Sequence, residues 1–229
     1  MAGKQKLAHF AEMKTFPNVF EPETEEIFRK DYHTKGNWHK EVFKNDHPIV
    51  LELGCGKGEY SVGMARKFPM KNFIGCDIKG ARMWRGAKTS QEEGIKNVAF
   101  FRTRIEFIEG GFAENEVDEI WITFPDPQPK DRQEKKRLTG PMFIERYKKF
   151  LKKGGTIHLK TDSEFFFRFT LDEIQKRGYE LIEHTFDLYG DAVHNYDQDT
   201  KDILSIKTHY EKIFSDKGFK INYLKFKVH

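Results

Sequence analysis

Ile49-Val50-Leu51-Glu52-Leu53-Gly54-Cys55-Gly56-Lys57-Gly58 is the stretch on which the fold turns. A continuous, partly β-branched run closed by glycine reads as a buried parallel strand. Glycines where that strand meets the next element let the chain turn tightly and let a ligand come close to the backbone. Working outward, residues 59–67 carry helix formers and 72–77 read as a second strand. Residues 79–93 are amphipathic and stop at Gly94, and 98–101 form a third short strand. A fourth strand, 117–124, must end at Pro125-Asp126-Pro127-Gln128-Pro129, because prolines cannot donate to a ladder. A helix follows from Pro141 to Leu151, before Gly154-Gly155. Then come a fifth strand at 156–160, a helix at 163–177, strands at 179–187 and 219–228, and between these two a helix over 208–217 closed by Gly218.

Strand–helix alternation of this kind argues for an α/β fold with a parallel sheet. We expect a Rossmann-like arrangement of seven mostly parallel strands, helices on both faces and an antiparallel last strand. Residues 1–30 are polar and mixed, with Lys4, Lys6 and Lys14 followed by a Glu-rich run from Glu21 to Glu26. They read as an irregular N-terminal arm, leaving 31–229 as a single domain. The segments 125–140 and 188–206 exceed ordinary loop lengths, and long loops in compact domains are often functional. His194 and Tyr196 lie in the second, a loop long enough to cover a site, though the sequence does not decide whether it does.

The chain has 229 residues, 38% hydrophobic and 33% charged, with 40 basic and 36 acidic side chains. A net charge of +4 is too mild to argue for nucleic acid by itself; clustering matters more. Two cysteines, Cys55 and Cys76, in apolar surroundings speak against a disulfide framework and for a cytoplasmic protein. No run approaches the ~20 apolar residues of a membrane span, and no signal peptide is evident. The nine histidines are scattered, without a Cys/His cluster, so no metal is expected.

The glycine spacing is G-x-G-x-G, not the G-x-G-x-x-G of a dinucleotide site, and it is too short for a Walker loop. Glu52 just before it would repel a pyrophosphate. It suits a ligand with a cationic end, such as the amino-acid part of S-adenosylmethionine. Asp77 ends the second strand, where a carboxylate can accept from both ribose hydroxyls. Gly54, Gly56, Gly58, Glu52 and Asp77 together favour a methyltransferase; a plain glycine-rich turn is the bland alternative.

The fourth strand delivers Asp126, held between prolines, to the carboxyl edge of the sheet, where open α/β sheets bind ligands. Lys130, Arg132, Lys135, Lys136 and Arg137 follow directly, a density of cations that suggests phosphate contacts. An ordinary solvated charged helix is the competing reading. With these residues in view, the chain resembles the bacterial tRNA (guanine-N7-)-methyltransferases. Three segments carry the resemblance: Phe124-Pro125-Asp126-Pro127-Gln128-Pro129-Lys130 with its basic continuation, His158-Leu159-Lys160-Thr161-Asp162, and Thr208-His209-Tyr210-Glu211-Lys212-Ile213-Phe214. It spans about residues 40–227.

The resemblance implies a class I fold and methyl transfer from S-adenosylmethionine to N7 of the guanine at position 46, in the tRNA variable loop. It places Glu52, Asp77, Arg104 and Asp126 at the cofactor and Asp126 also at the target base. Lys130, Asp162, Thr208 and Glu211 fall at the substrate; the density of cations assigns Arg132, Lys135, Lys136 and Arg137 to RNA phosphates. It is compatible with a monomer or a homodimer. Two positions depart from the family pattern. Gln128 stands where a Trp is usual, and Arg104 where an Asp is, which moves the adenine contact to Glu106 or a backbone N–H. Guanine N7 has an in-plane lone pair and no proton. Catalysis therefore needs alignment, and a fixed carboxylate to offset the positive charge that develops on the ring. Two other classes remain at this point: a methyltransferase for a small molecule or protein, and a non-catalytic RNA-binding protein with a degenerate cofactor fold.

Overall fold

A computed structural model describes residues 2–190 and 196–229. His194 therefore lies outside the described residues. The chain divides into two compact units, Met1–Ala113 and Glu114–His229.

The first unit contains helices α1 (Ala2–Met13), α2 (Thr24–Ile27), α3 (Glu59–Lys67) and α4 (Gly80–Glu92). Its strands are β1 (Val19–Phe20), β2 (Ile49–Leu53), β3 (Asn72–Cys76) and β4 (Val98–Phe101). They lie in the order β1-β4-β3-β2, all parallel, with Leu51 opposite Ile74 and Gly75 opposite Phe100. Every residue of β2, β3 and β4 is buried, as a strand covered on both faces requires. Trp38 anchors the apolar cluster beneath β1: it stacks on Phe112 and meets Phe101 edge-on, and its indole N–H donates to Gly111 O at 2.8 Å.

The N-terminal residues differ from the expected irregular arm. Helix α1 packs on α4: His9 stacks on Trp84 at 3.6 Å between ring centroids, and Glu12 accepts from the Trp84 indole and from Lys88. The two residues of β1 add an edge strand to β4 through Val19 and Phe20.

The second unit holds strands β5 (Val117–Thr123), β6 (Leu151–Thr161), β7 (Glu180–Thr185) and β8 (Asn222–Lys227). Its helices are α5 (Pro141–Tyr147), α6 (Glu164–Arg177), α7 (Gln198–Leu204) and α8 (His209–Asp216). The strand order is β5-β6-β8-β7, with β5 and β6 parallel and β8 antiparallel to both of its neighbours. Helix α5 stops at Tyr147, short of the expected Leu151, which instead begins β6. The early start of β6 is absorbed by a register shift between Val117 and Glu119. Gly155 packs there so closely that a Cβ would lie 2.8 Å from Asp118 O. Helix α6 is capped by Ser163, which accepts from Phe166 N, and closed by left-handed Gly178. The long 188–206 segment contains α7, started by Asp197 accepting from Thr200 N at 2.8 Å. All seven expected strands are present, and β1 makes an eighth.

Candidate active site

The glycine loop of the first unit wraps the end of β3. The amides of Gly54 and Cys55 both donate to Cys76 O, at 2.8 and 3.0 Å. Gly54, Gly56 and Gly58 all have positive φ. They serve different ends. A Cβ on Gly58 would sit 2.6 Å from the Phe100 ring, so this glycine exists for packing. A Cβ on Gly54 would meet nothing within 4 Å, leaving open space above the loop for a ligand.

Asp77 directly follows β3. Its Oδ2 accepts from Gly56 N at 2.9 Å and its Oδ1 from Lys79 N at 2.7 Å. Each oxygen keeps a lone pair for a further donor. Glu52 is 1% exposed, and its Oε2 accepts from Ser61 N at 2.9 Å and Ser61 Oγ at 2.5 Å. Glu52 thus caps the first turn of α3 from the neighbouring strand, a negative charge at a helix N-terminus. That partner, Ser61, carries no signal of its own in the sequence. The two thiols of this region, Cys55 and Cys76, are buried and pushed upward, chiefly by removal from water and then by nearby carboxylates. Arg104 precedes a 3-10 turn, Ile105–Gly110; it is exposed, 3.9 Å from Glu106 and above the Phe107 ring.

In the second unit, β5 leads into the proline loop. Phe124 and Gln128 both have positive φ, 47° and 48°, although neither is glycine and each precedes a proline. Between them Asp126 is exposed. The loop's first amide, Phe124 N, donates to Lys160 O at 2.8 Å, and its last carbonyl, Gln128 O, accepts from Arg137 Nε at 3.2 Å. Lys130, Arg132, Lys135 and Lys136 are exposed on or beside the 3-10 turn Asp131–Lys136.

Arg137 departs from the expectation of a phosphate contact. It is only 5% exposed, and its guanidinium lies over the rings of Phe165 and Phe169, at 4.9 and 4.5 Å. The end of the basic run turns inward because two aromatic faces of α6 accept a weakly hydrated, planar cation.

The C-terminal motif also departs from expectation: Glu211, expected at the substrate, is 0% exposed. Thr208 and Glu211 form a reciprocal cap on α8: Glu211 N donates to Thr208 Oγ1 at 3.2 Å, and Thr208 N to Glu211 Oε2 at 3.4 Å. Glu211 is fully buried against Lys160, whose ammonium also donates to Leu204 O, Ile206 O and Tyr189 Oη. The Tyr189 hydroxyl donates to Glu211 Oε1, an oxygen that also faces the Lys160 ammonium. Burial pulls Lys160 down to about 8, against the opposing pull of Glu211. Lys160 has no assigned role from the sequence. Its signal is a lysine inside a continuous buried strand run, where a charge must find a partner.

Asp162 borders a cavity of about 420 Å³, with Phe186, Phe219, Arg168, Lys220 and Asn222 also on its walls. Partial burial raises the Asp162 carboxyl above its ordinary value. The structure thus brings Glu52, the three glycines and Asp77 together in the first unit. In the second it ties the start of the Asp126 loop, at Phe124 N, to Lys160 O of β6, and joins Thr208 to Glu211. Among the described residues no group of His, Cys, Asp and Glu is arranged to hold a metal, and no helix is long and apolar enough to cross a membrane.

Comparison with known proteins adds to this geometry. Residues 46–224 match a family model described as "Putative methyltransferase". The chain is 52% identical over 228 residues to a tRNA (guanine-N(7)-)-methyltransferase of Christiangramia forsetii, covering all of both chains. It is 54% identical to a protein of the same name from Bacteroides fragilis, over 98% of this chain and 86% of the other. Among solved structures, the 16S rRNA methyltransferase KamB matches with a TM-score of 0.61 at 12% identity, over 82% of this chain and 91% of that one. That likeness fixes the fold: a mostly parallel sheet with an antiparallel C-terminal strand, of the class I methyltransferase type.

Proposed function

The chain belongs to the tRNA (guanine-N(7)-)-methyltransferase family, and from that membership we propose that it methylates N7 of guanine 46 in tRNA, using S-adenosylmethionine. The observation that carries the reading is identity above one half along the whole chain. The residues fit the cofactor. Gly54 leaves open space where any other side chain would stand, and Asp77 offers free lone pairs to hydroxyl donors. When bound, S-adenosylmethionine supplies an activated methyl group.

The remaining work falls to the chain. Asp77 holds the glycine loop and accepts from the ribose. Glu52 fixes the start of α3, so the loop presents its amides in one arrangement. Guanine N7 carries no proton, and no residue has to act as a strong base. Asp126, exposed on a loop whose ends are fixed, stabilises the positive charge that develops on the base. That interaction is stronger in the transition state than in the ground state. Asp162 accepts from the guanine N1–H and amino group, in a cavity where Phe186 and Phe219 offer apolar surface to an unstacked base. Lys130, Arg132, Lys135 and Lys136 take phosphates. Thr208 and Glu211 shape the substrate side by ordering α8.

The test is methyl transfer to an unmodified tRNA transcript with labelled cofactor, followed by mapping of the methylated base. Label at N7 of the variable-loop guanine supports the proposal. Label on another base, or none while cofactor still binds, removes it.

A further inference from the structure

We propose that Arg137 is a positioning residue for the Asp126 loop and not one of the phosphate contacts. This rests on the catalytic role given to Asp126 above.

The loop is held in a backbone state it would not choose. Positive φ is uncommon for residues other than glycine, and a residue before proline is normally driven to extended conformations. Phe124 and Gln128 violate both tendencies at once, at the two ends of Pro125-Asp126-Pro127. Such conformations persist only where the surroundings over-determine them. At the Phe124 end the constraint is the sheet: its N–H continues the β5–β6 ladder to Lys160 O. At the Gln128 end the constraint is Arg137, whose Nε–H donates to Gln128 O at 3.2 Å.

Arg137 is itself held. Its guanidinium lies against the Phe165 and Phe169 rings of α6 and 4.0 Å from Glu134. A cation 5% exposed is poorly placed to release counterions from RNA, which is how phosphate contacts contribute. It is well placed to carry rigidity from α6 into the loop. Without it Gln128 relaxes to an extended conformation, and Asp126, two residues away, leaves its position. Displacement of about 1 Å at a reacting group can lower turnover about 100-fold.

The experiment measures kcat and tRNA KM across a range of salt for Arg137→Met and Arg137→Lys, with Lys135→Ala as the phosphate reference. Cofactor affinity and thermal stability are recorded for each. The expected result is a fall in kcat of roughly tenfold or more for both Arg137 variants. The salt slope of tRNA KM stays at its wild-type value, whereas Lys135→Ala lowers it by about one. Arg137→Lys keeps the charge but removes the fixed Nε–H, so it separates position from charge even if Arg137→Met fails to fold. Wild-type kcat in a folded Arg137→Lys, or a salt slope lowered as by Lys135→Ala, overturns the proposal. If Asp126→Asn retains full turnover while Arg137→Lys does not, the catalytic reading of Asp126 has failed and the role of Arg137 lies elsewhere.

Discussion

Asp77 Oδ2 accepts the Gly56 amide proton at 2.9 Å, so the carboxylate that follows β3 also fastens the glycine loop. Ligand binding and loop order therefore depend on one side chain. A hydrogen bond to a charged group contributes about 1.5–3 kcal/mol. Asp77→Ala should weaken S-adenosylmethionine binding by roughly 10- to 100-fold, read by calorimetry. Asp77→Asn, which keeps one accepting oxygen, should fall between. Wild-type affinity in Asp77→Ala would show that the loop and the ribose are held by other groups.

Glu52 should matter more to folding than its neighbourhood suggests. Its removal leaves Ser61 N–H and Oγ–H without their acceptor in the interior, at about 1–3 kcal/mol. Glu52→Ala is expected to lower the urea midpoint with an unchanged m-value. Retained stability would mean that α3 finds another cap.

The three loop glycines should separate into two behaviours. Gly58→Ala drives a methyl into Phe100 and should destabilise the fold by about 1–3 kcal/mol. Gly54→Ala meets no atom of the protein but fills space proposed for the cofactor. Its loss of affinity should exceed what its smaller loss of stability explains. Equal effects of the two changes on denaturation and on binding would contradict this division.

Much of this is legible in the sequence. Strands β2 to β5 fall on the largely apolar runs of the sequence, β2 ending at Gly54 and β5 just before Phe124-Pro125, and the glycine loop and Asp77 follow from spacing. Three features are hidden for physical reasons. Helix α1 has a weak pattern of its own and owes its place to partners some 70 residues away, Trp84 and Lys88. The burial of Arg137 cannot be read from a run of charges, because what sets it apart from Lys136 is the pair of aromatic rings that α6 brings to it. Glu211 sits in a Thr-x-x-Glu pattern that names a helix cap but not the buried ammonium facing its carboxylate.

Lys160 should leave a mark on the pH dependence of stability. In the folded chain it titrates near 8; in the unfolded chain it returns toward 10.5. Between these values the unfolded state binds more protons, so this group makes stability rise with pH. Of the groups facing it, Glu211 supports the charge, Lys207 opposes it, and Tyr189, pushed upward by burial, acts in the opposite sense only above about pH 10. Relative to Lys160→Met, the wild type should gain stability between about pH 7.5 and 9.5 in denaturant titrations. A constant difference across that window would count against a titrating Lys160.

Asp126→Asn should lower kcat by about 100-fold while cofactor affinity and melting temperature hold, since the residue is exposed and the prolines keep the loop's course. Asp162→Asn should act mainly on tRNA KM. Single-turnover assays over a range of tRNA concentration distinguish the two patterns, and a reversal of them would exchange the roles assigned here.

Cys55, inside the glycine loop, and Cys76, at the end of β3, are buried thiols whose ionisation burial opposes. Electrophiles and peroxides react with thiolates, so the folded protein presents them with almost nothing at either position. Methyl transfer should then continue through oxidative stress that disables enzymes with reactive cysteines near their ligands. The same protection makes the pair an internal clock. A small alkylating reagent reaches them when the glycine loop or the strands beside it open, so the rate of thiol capture in native buffer reads the opening of that region.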